Sequence, residues 1–152
     1  MAEKKKHKEI RLKGIPVSEG IAIGTICIYR TELDDIQTYS VEPGHISDEL
    51  ERYFSSLNEV NMQLMAKQTR ISRHIGTKQA EVYDAYRMIL EDPVFQEEIP
   101  EAIRNENLNS ETVIQKKLLI LEKQFEAIED DYLRERIFDI RGVSRRLIFN
   151  LM

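Results

Sequence analysis

Glycines near the N-terminus are the first residues whose type and spacing could carry chemistry. Gly14, Gly20 and Gly24 invite comparison with a phosphate-binding loop. Such loops need Gly-x-Gly-x-x-Gly or a Gly-Lys-Ser/Thr ending, because closely spaced glycines let backbone N–H groups surround the anion. Neither pattern occurs in this sequence. The three glycines are therefore interpreted as structural.

Metal binding and nucleophilic catalysis would depend on the histidines. Glu42-Pro-Gly-His45 has the Glu-x-x-His spacing of a metal motif, but that motif needs a helix and Pro-Gly prevents one. His7, His45 and His74 have polar neighbours, and no Ser, Cys or carboxylate stands at a spacing that suggests nucleophilic catalysis. We expect surface histidines and no metal site.

An acidic helix face is the third candidate site. At about 100° per residue, Glu81, Asp84, Met88 and Glu91 share one sector of a helix. An exposed Met among carboxylates suits a basic partner with an apolar centre, although a solvated charged face has the same pattern. Both interpretations stay open on these residues alone. The opposite, inward sector holds Val82, Tyr83, Tyr86, Ile89 and Leu90.

Five amphipathic helices are predicted to position these groups. Pro100 falls inside the third, so we expect a kink or break near Glu98, and Gly142 in the fifth should mark close helix packing. The predicted starts are Ser47, Thr77, Asp92-Pro93, Asn109 or Ser110, and Asp130 or Asp131. The apolar seam of the first helix is Leu50, Tyr53, Phe54, Leu57, Val60, Leu64, Ile71 and Ile75; that of the fourth is Ile114, Leu118, Leu121, Phe125 and Ile128; that of the fifth is Leu133, Ile137, Ile140, Leu147 and Leu151.

A strand is predicted ahead of the helices. Residues 21–29 are apolar or small on both alternating faces, which is typical of a strand covered on both sides, yet no later segment supplies its sheet. We expect a mainly α fold: an antiparallel bundle of two helical hairpins plus an N-terminal strand from an incomplete α/β subdomain. The expected parts are a flexible basic arm at 1–9, the strand region at 10–30 and the bundle at 46–152. Ile21, Ile23, Ile26 and Ile28 should leave an apolar patch that self-associates.

Three motifs in order resemble one known family. They are Gly14-Ile-Pro-Val-Ser-Glu-Gly-Ile-Ala-Ile-Gly24, then Met88-Ile-Leu-Glu-Asp-Pro93, then Asp130-Asp-Tyr-Leu-Arg-Glu-Arg136 followed by Asp-Ile-Arg and Arg-Arg-Leu. Together they resemble Enzyme I, the phosphoenolpyruvate-protein phosphotransferase of bacterial sugar uptake, over roughly residues 10 to 152. The resemblance implies that the predicted strand belongs to an α/β subdomain completed by residues that would follow Met152.

The resemblance also implies an activity and a partner. Enzyme I passes a phosphoryl group from phosphoenolpyruvate to a histidine in a Gly-Gly-x-Thr-Ser-His segment, and then to the small carrier HPr. Neither that segment nor the barrel that binds magnesium and phosphoenolpyruvate is in these 152 residues, so no cofactor is expected in this chain and its own enzymatic activity stays open. What the resemblance implies here is a docking region for an HPr-like carrier, joined to the C-terminal remainder of Enzyme I. The implied partner contacts are Glu81, Asp84, Met88, Ile89, Phe95 and Arg136.

Composition narrows the function classes. The 152 residues suit one domain, and a net charge of −5 argues against a nucleic-acid partner. With Cys27 the only cysteine, and no signal peptide or long apolar run, the sequence predicts a cytoplasmic protein without a membrane segment. The alternative is a stand-alone helical adaptor or truncated regulator that dimerises through its long helices. The sugar and nitrogen-related branches are not distinguished.

Overall fold

The described part of the chain is mostly the helical region. The computed structural model describes residues 20, 21, 23–25, 36–126 and 131–152. The chain divides into two units, Met1–Glu32 and Leu33–Met152. In the first unit the described residues are exposed and belong to no strand, while Ile26 and Ile28, like the predicted basic arm, lie outside the described residues. The N-terminal strand and its apolar patch therefore stay predictions.

Five α-helices account for most of the described residues in the second unit. α1 packs most extensively on α2, and α4 on α5, so the two predicted helical hairpins are confirmed. α1 also contacts α3, α4 and α5, which joins the hairpins into one bundle. The helices are α1 Ile46–His74, α2 Thr77–Leu90, α3 Ile99–Glu106, α4 Ser110–Glu126 and α5 Asp131–Leu151.

One core joins the five helices, and it contains most of the predicted seams. The prediction was wrong for Phe54, Ile75 and Val82, which are exposed. Phe54 packs edge-on against the neighbouring Tyr53, with ring centroids 5.4 Å apart, and Tyr53 takes the core position. Ile75 follows the last residue of α1, and Val82 lies in the first turns of α2, where only Ala80 is buried. Ile75 is thus beyond the end of α1, and Val82 lies on the side of α2 opposite to the buried Ala80.

The chain bends between α2 and α3. Val94–Glu98 form a π-helical turn that runs directly into α3, and Pro100 is the second residue of α3. Glu98 and Ile99 both keep helical backbone angles, so at the predicted position the chain changes from π to α geometry without a break. Asp92 begins the turn, because its carboxylate Oδ1 accepts a hydrogen bond of 2.9 Å from the backbone N–H of Val94.

Two predicted N-caps were wrong. α1 begins at Ile46, one residue before Ser47, because the 3₁₀ turn Pro43–His45 already sets a helical direction. α2 includes Thr77, and the residue that precedes it is Gly76 with φ +143°. The Gly76 N–H donates to the Ile71 carbonyl at 3.1 Å, so this glycine closes α1 while opening α2.

Gly142 does not mark the close helix packing that was expected. A Cβ built there has no atom within 4 Å, so this mid-helix glycine faces open space. Gly142→Ala should therefore raise the free energy of unfolding by about 1 kcal/mol, because alanine loses less backbone entropy in a helix. Urea unfolding measures this change in the free energy of unfolding. The matched control is Gly76→Ala, which should destabilise, since Gly76 has φ +143° and its Cβ would lie 2.7 Å from Gln79 Oε1. An unchanged or less stable Gly142→Ala variant would contradict this account of α5.

Candidate partner-docking site

An apolar groove of about 170 Å³ lies where the end of α2 and the π-helical turn meet α4 and α5. Four of the six residues predicted as partner contacts line this groove, although their spacing in the sequence did not indicate that they lie together. These four are Met88, Ile89, Phe95 and Arg136, and the other lining residues are Asp92, Val94, Leu121, Phe125 and Ile140. We call this set the docking groove.

The four predicted residues have different positions in the docking groove. Met88 is at the rim, with 64% of its surface exposed, and Arg136 is half-buried on α5. Ile89 and Phe95 are buried and form part of the floor. The helical wheel had placed Ile89 inward, and the structure agrees. A partner could reach Ile89 and Phe95 only by inserting a side chain into the groove.

Hydrogen bonds from outside the docking groove fix its floor. The Tyr53 hydroxyl donates to the Phe95 carbonyl at 2.8 Å, and the Gln96 side-chain amide donates to the Leu90 carbonyl at 2.6 Å. Burial raises the pKa of Tyr53 far above its ordinary value, so the hydroxyl stays a donor at all physiological pH values. These bonds hold the π-helical turn against α1 and α2, and the groove is preformed.

The acidic face of α2 adjoins the docking groove through Met88. Glu81, Asp84, Met88 and Glu91 are all exposed, which confirms the predicted outer sector. The Asp84 carboxylate lies 3.7 Å from the Arg87 guanidinium, and this partly exposed pair is worth only about 0.2–1 kcal/mol. Glu81 and Asp84 line a separate polar groove of about 410 Å³ between α1 and α2. The six predicted residues thus form an acidic part and an apolar part of one surface.

Of the histidines considered from the sequence, His7 lies outside the described residues, and His45 does not form the metal motif with Glu42. Pro43–His45 forms a 3₁₀ turn, and the His45 ring bonds Asp48 at 3.0 Å instead of pairing with Glu42. Among the described residues no three His, Cys, Asp or Glu side chains come together as metal ligands. None of the helices described here combines the length and apolar character that crossing a membrane requires.

The sequence did not predict a largely buried ion-pair cluster centred on Arg52. Arg52 donates to both oxygens of Glu49 at 2.7 and 3.0 Å and to both oxygens of Glu111 at 2.7 and 2.8 Å. Its Nη1 also donates to the Leu151 carbonyl at 2.9 Å. Arg52 follows Glu49 by three residues, a spacing that predicts an ion pair on a helix, but nothing in the sequence connects Arg52 with Glu111.

The role of this cluster is structural. Burial is the largest single influence and would raise the pKa of the Glu49 and Glu111 carboxyls. The hydrogen bonds and charge of Arg52, together with hydrogen bonds from Ser110 to Glu49 and from Asn109 and the backbone to Glu111, outweigh it, and the pKa of each lies below its ordinary value. Glu49 also accepts from the Ser110 N–H at 2.6 Å, at the first residue of α4. The Asn109 amide donates to Glu111 and to the Gln37 carbonyl, so the cluster ties segment 36–41 to the bundle.

Comparison with known proteins places this geometry in a family. The family described as "PEP-utilising enzyme, N-terminal" matches residues 13–136. The phosphoenolpyruvate-protein phosphotransferase of Listeria monocytogenes is 30% identical over 141 residues, which are 93% of this chain and 24% of that protein. The corresponding protein of Cupriavidus necator is 34% identical over 137 residues, 90% of this chain and 23% of that protein. The chain thus spans about a quarter of the length of these curated relatives.

Solved structures show the same fold. The NMR structure of Enzyme I (nEIt) superposes with a TM-score of 0.72 at 24% identity, over 79% of this chain and 48% of that one. The N-terminal domain of Enzyme 1, Nitrogen, gives a TM-score of 0.68 at 24% identity, over 78% of this chain and 48% of that one. The mainly α architecture is therefore shared with both.

Proposed function

The chain belongs to the PEP-utilising enzyme N-terminal family, and from this premise we propose that its bundle docks an HPr-like phosphocarrier protein in the cytoplasm. It would do so as part of an Enzyme I, a phosphoenolpyruvate-protein phosphotransferase that serves sugar uptake or nitrogen-related regulation. The observation that carries the proposal is the docking groove, which gathers Met88, Ile89, Phe95 and Arg136 beside an acidic helix face.

The apolar part of the surface supplies the anchor. The docking groove is lined mainly by apolar side chains, and its floor is held by the Tyr53 and Gln96 hydrogen bonds. A preformed apolar groove of this kind accepts one or two apolar side chains of a partner at little conformational cost. Met88 at the rim can adjust its shape to that side chain.

The acidic part supplies attraction and orientation. Glu81, Asp84 and Glu91 are exposed on α2, so they would attract a carrier whose docking surface is basic. The role proposed for this chain is positioning. The phosphoryl acceptor, magnesium and phosphoenolpyruvate are assigned to other parts of an Enzyme I, which would present the acceptor to the docked carrier.

Two substitutions should separate charge from apolar contact. Asp84→Lys should slow association with the carrier and weaken its salt dependence, because exposed charges act mainly on the encounter. Met88→Ala should speed dissociation about tenfold, because it removes part of the anchor. Both residues are exposed, so the free energy of unfolding should change by no more than about 0.5 kcal/mol. Stopped-flow binding measures the rates.

The control is Glu101→Lys, which changes net charge as Asp84→Lys does. Glu101 is exposed on α3, which supplies no lining residue to either groove. Glu101→Lys should leave the rate of association with the carrier close to that of the parent. If both test variants bind the carrier like the parent, the docking assignment fails and the adaptor alternative takes its place.

A further inference from the structure

Gly142 is a mid-helix glycine for which the described part of the chain gives no internal reason. Glycine inside a helix lowers stability relative to alanine, because it loses more backbone freedom on folding. Gly142 lacks the positive φ of Gly20 and Gly76, and a Cβ built on it meets no atom within 4 Å. Neither its backbone conformation nor its packing within the chain therefore offsets the cost. A contact with another molecule would do so.

Gly142 interrupts a stripe of exposed aromatic side chains on α5. Phe138 is 63% exposed and Phe149 is 50% exposed. At about 100° per residue, Gly142 and Arg145 lie between these two residues in a sector of roughly 60°. The missing side chain of Gly142 thus leaves a gap between the two phenylalanine rings along one face of the helix.

α4 supplies the other side of this gap. Arg141 Nε donates to Glu122 Oε1 at 2.7 Å, which fixes the relative level of the two antiparallel helices. Leu119 lies one turn before Glu122, so it comes level with the turn of α5 that follows Arg141. Its side chain is 52% exposed. We call the surface formed by these residues the glycine notch; its members are Leu119, Phe138, Gly142, Arg145 and Phe149.

We propose that the glycine notch docks an acidic amphipathic helix of a partner protein, with one apolar side chain of that helix over Gly142. The distance between two packed helices depends on the side chains at their contact, so a position without a Cβ permits a closer approach to α5. A helix also pairs its own backbone groups, whereas an extended segment would find no strand edge on α4 and α5.

The charges around the glycine notch favour an acidic partner. Arg145 and the exposed Lys123 have no ion-pair partner among the described residues. Glu122, the described acid that borders the notch, is already engaged by Arg141. A helix with carboxylates beside its apolar face would therefore meet two available cations, while a basic helix would be repelled by them.

The glycine notch and the docking groove lie on opposite sides of the α4–α5 hairpin. On α4, Leu119 lies about 160° from the groove residue Leu121. On α5, Phe138 lies about 160° from the groove residue Ile140. No residue of the notch lines either groove. The proposed acidic helix and the proposed basic carrier thus bind different surfaces, and failure of one proposal leaves the other standing.

A pair of synthetic helical peptides tests the proposal. The acidic peptide has leucines at three-and-four spacing flanked by glutamates, and in its matched control lysines replace the glutamates. In an NMR titration of the isotope-labelled chain, the acidic peptide should give saturable shifts at Leu119, Gly142 and Phe149, and the basic peptide should not. Equal shifts with both peptides would overturn the proposal. So would binding of phosphatidylglycerol vesicles to this surface in place of the acidic peptide.

Gly142→Ala should affect binding and stability in opposite directions. Its Cβ fills the notch, so we expect binding of the acidic peptide to weaken about tenfold, although the variant should be more stable than the parent. The lost binding could then not be attributed to unfolding. Arg145→Glu should also weaken binding, because it removes an available cation. Ser55→Ala, exposed on α1, is the control and should bind like the parent. Unchanged binding by Gly142→Ala or by Arg145→Glu would overturn the proposal.

Discussion

Replacing Arg52 by alanine is expected to lower the free energy of unfolding by about 3 kcal/mol, because two carboxylates lose their counter-charge. The Glu49 and Glu111 side chains are only 8% and 9% exposed, so water replaces the guanidinium poorly. The expected loss lies at the low end for a buried pair, since the Arg52 side chain is itself 33% exposed. The variant also frees the Leu151 carbonyl at the end of α5. Urea unfolding at neutral pH measures the loss.

The loss should depend on pH in a defined direction. The pKa of Glu49 and of Glu111 is lowered in the folded protein, so their stabilisation is present above the ordinary value of 4.5 and disappears as pH falls through the lower folded value. The gap between the parent and Arg52→Ala should therefore narrow as the pH is brought from about 7 to about 3. Arg52→Lys is the control, because it keeps the charge but loses the two-pronged geometry, and it should lie between the two. A gap that does not change with pH would contradict the role of the cluster.

Phe95→Ala should cost a similar or larger amount, about 3–5 kcal/mol, because it removes a large buried side chain and leaves a cavity. Phe95 is 2% exposed, and it belongs to the core cluster as well as to the floor of the docking groove. The resemblance to Enzyme I had suggested it as a partner contact. In this fold its first role is to support the groove. Thermal or urea unfolding measures the loss.

Two companion variants separate folding from binding at this site. Phe95→Leu fills more of the same space and should lose clearly less stability than Phe95→Ala. Met88→Ala, on the rim, should weaken carrier binding while leaving unfolding nearly unchanged. If Phe95→Ala unfolds at the same urea concentration as the parent, the side chain does not support the groove in solution.

The three-and-four periodicity of the apolar residues predicted the bundle well, because burial of these residues on one helix face produces that periodicity. Leu57, Val60 and Leu64 on α1, and Ile137 and Leu147 on α5, follow the three-and-four spacing and are buried. Pro100 marked the place where π geometry changes to α geometry for an equally local reason, since proline restricts its own turn. Features that depend on one helix or one turn could thus be inferred from neighbouring residues.

Features that depend on distant residues were not accessible in this way. Arg52 and Glu111 are far apart in the sequence, and only the folded bundle brings them within hydrogen-bonding distance. Phe54 fits the apolar spacing as well as its neighbours do, but Tyr53 takes the core position. A wheel shows which residues share a face but not which face is covered: in the first turns of α2 the buried residue is Ala80, and Val82, on the opposite side, is exposed.

The candidate site also has features that depend on one helix and features that depend on several elements. The exposure of Glu81, Asp84 and Met88 followed from the α2 wheel, because one helix determines it. The docking groove needs four elements, and the spacing of its residues gives no sign that Met88 and Arg136 approach each other. That the resemblance to Enzyme I named residues which the fold brings into one groove is the strongest support for the proposed docking role.

A titration of the isotope-labelled chain with the HPr-like carrier of the same organism, followed by NMR chemical shifts, tests carrier docking most directly. The predicted result is a set of saturable shifts at Met88, in residues 94–96, 121–125 and 136–140, and on the acidic face of α2. Asp48 and Ser55, which are exposed on α1 and line neither groove, should be unaffected by the carrier. No shift at an excess of carrier, or shifts confined to α1, would contradict the docking groove as the site of binding.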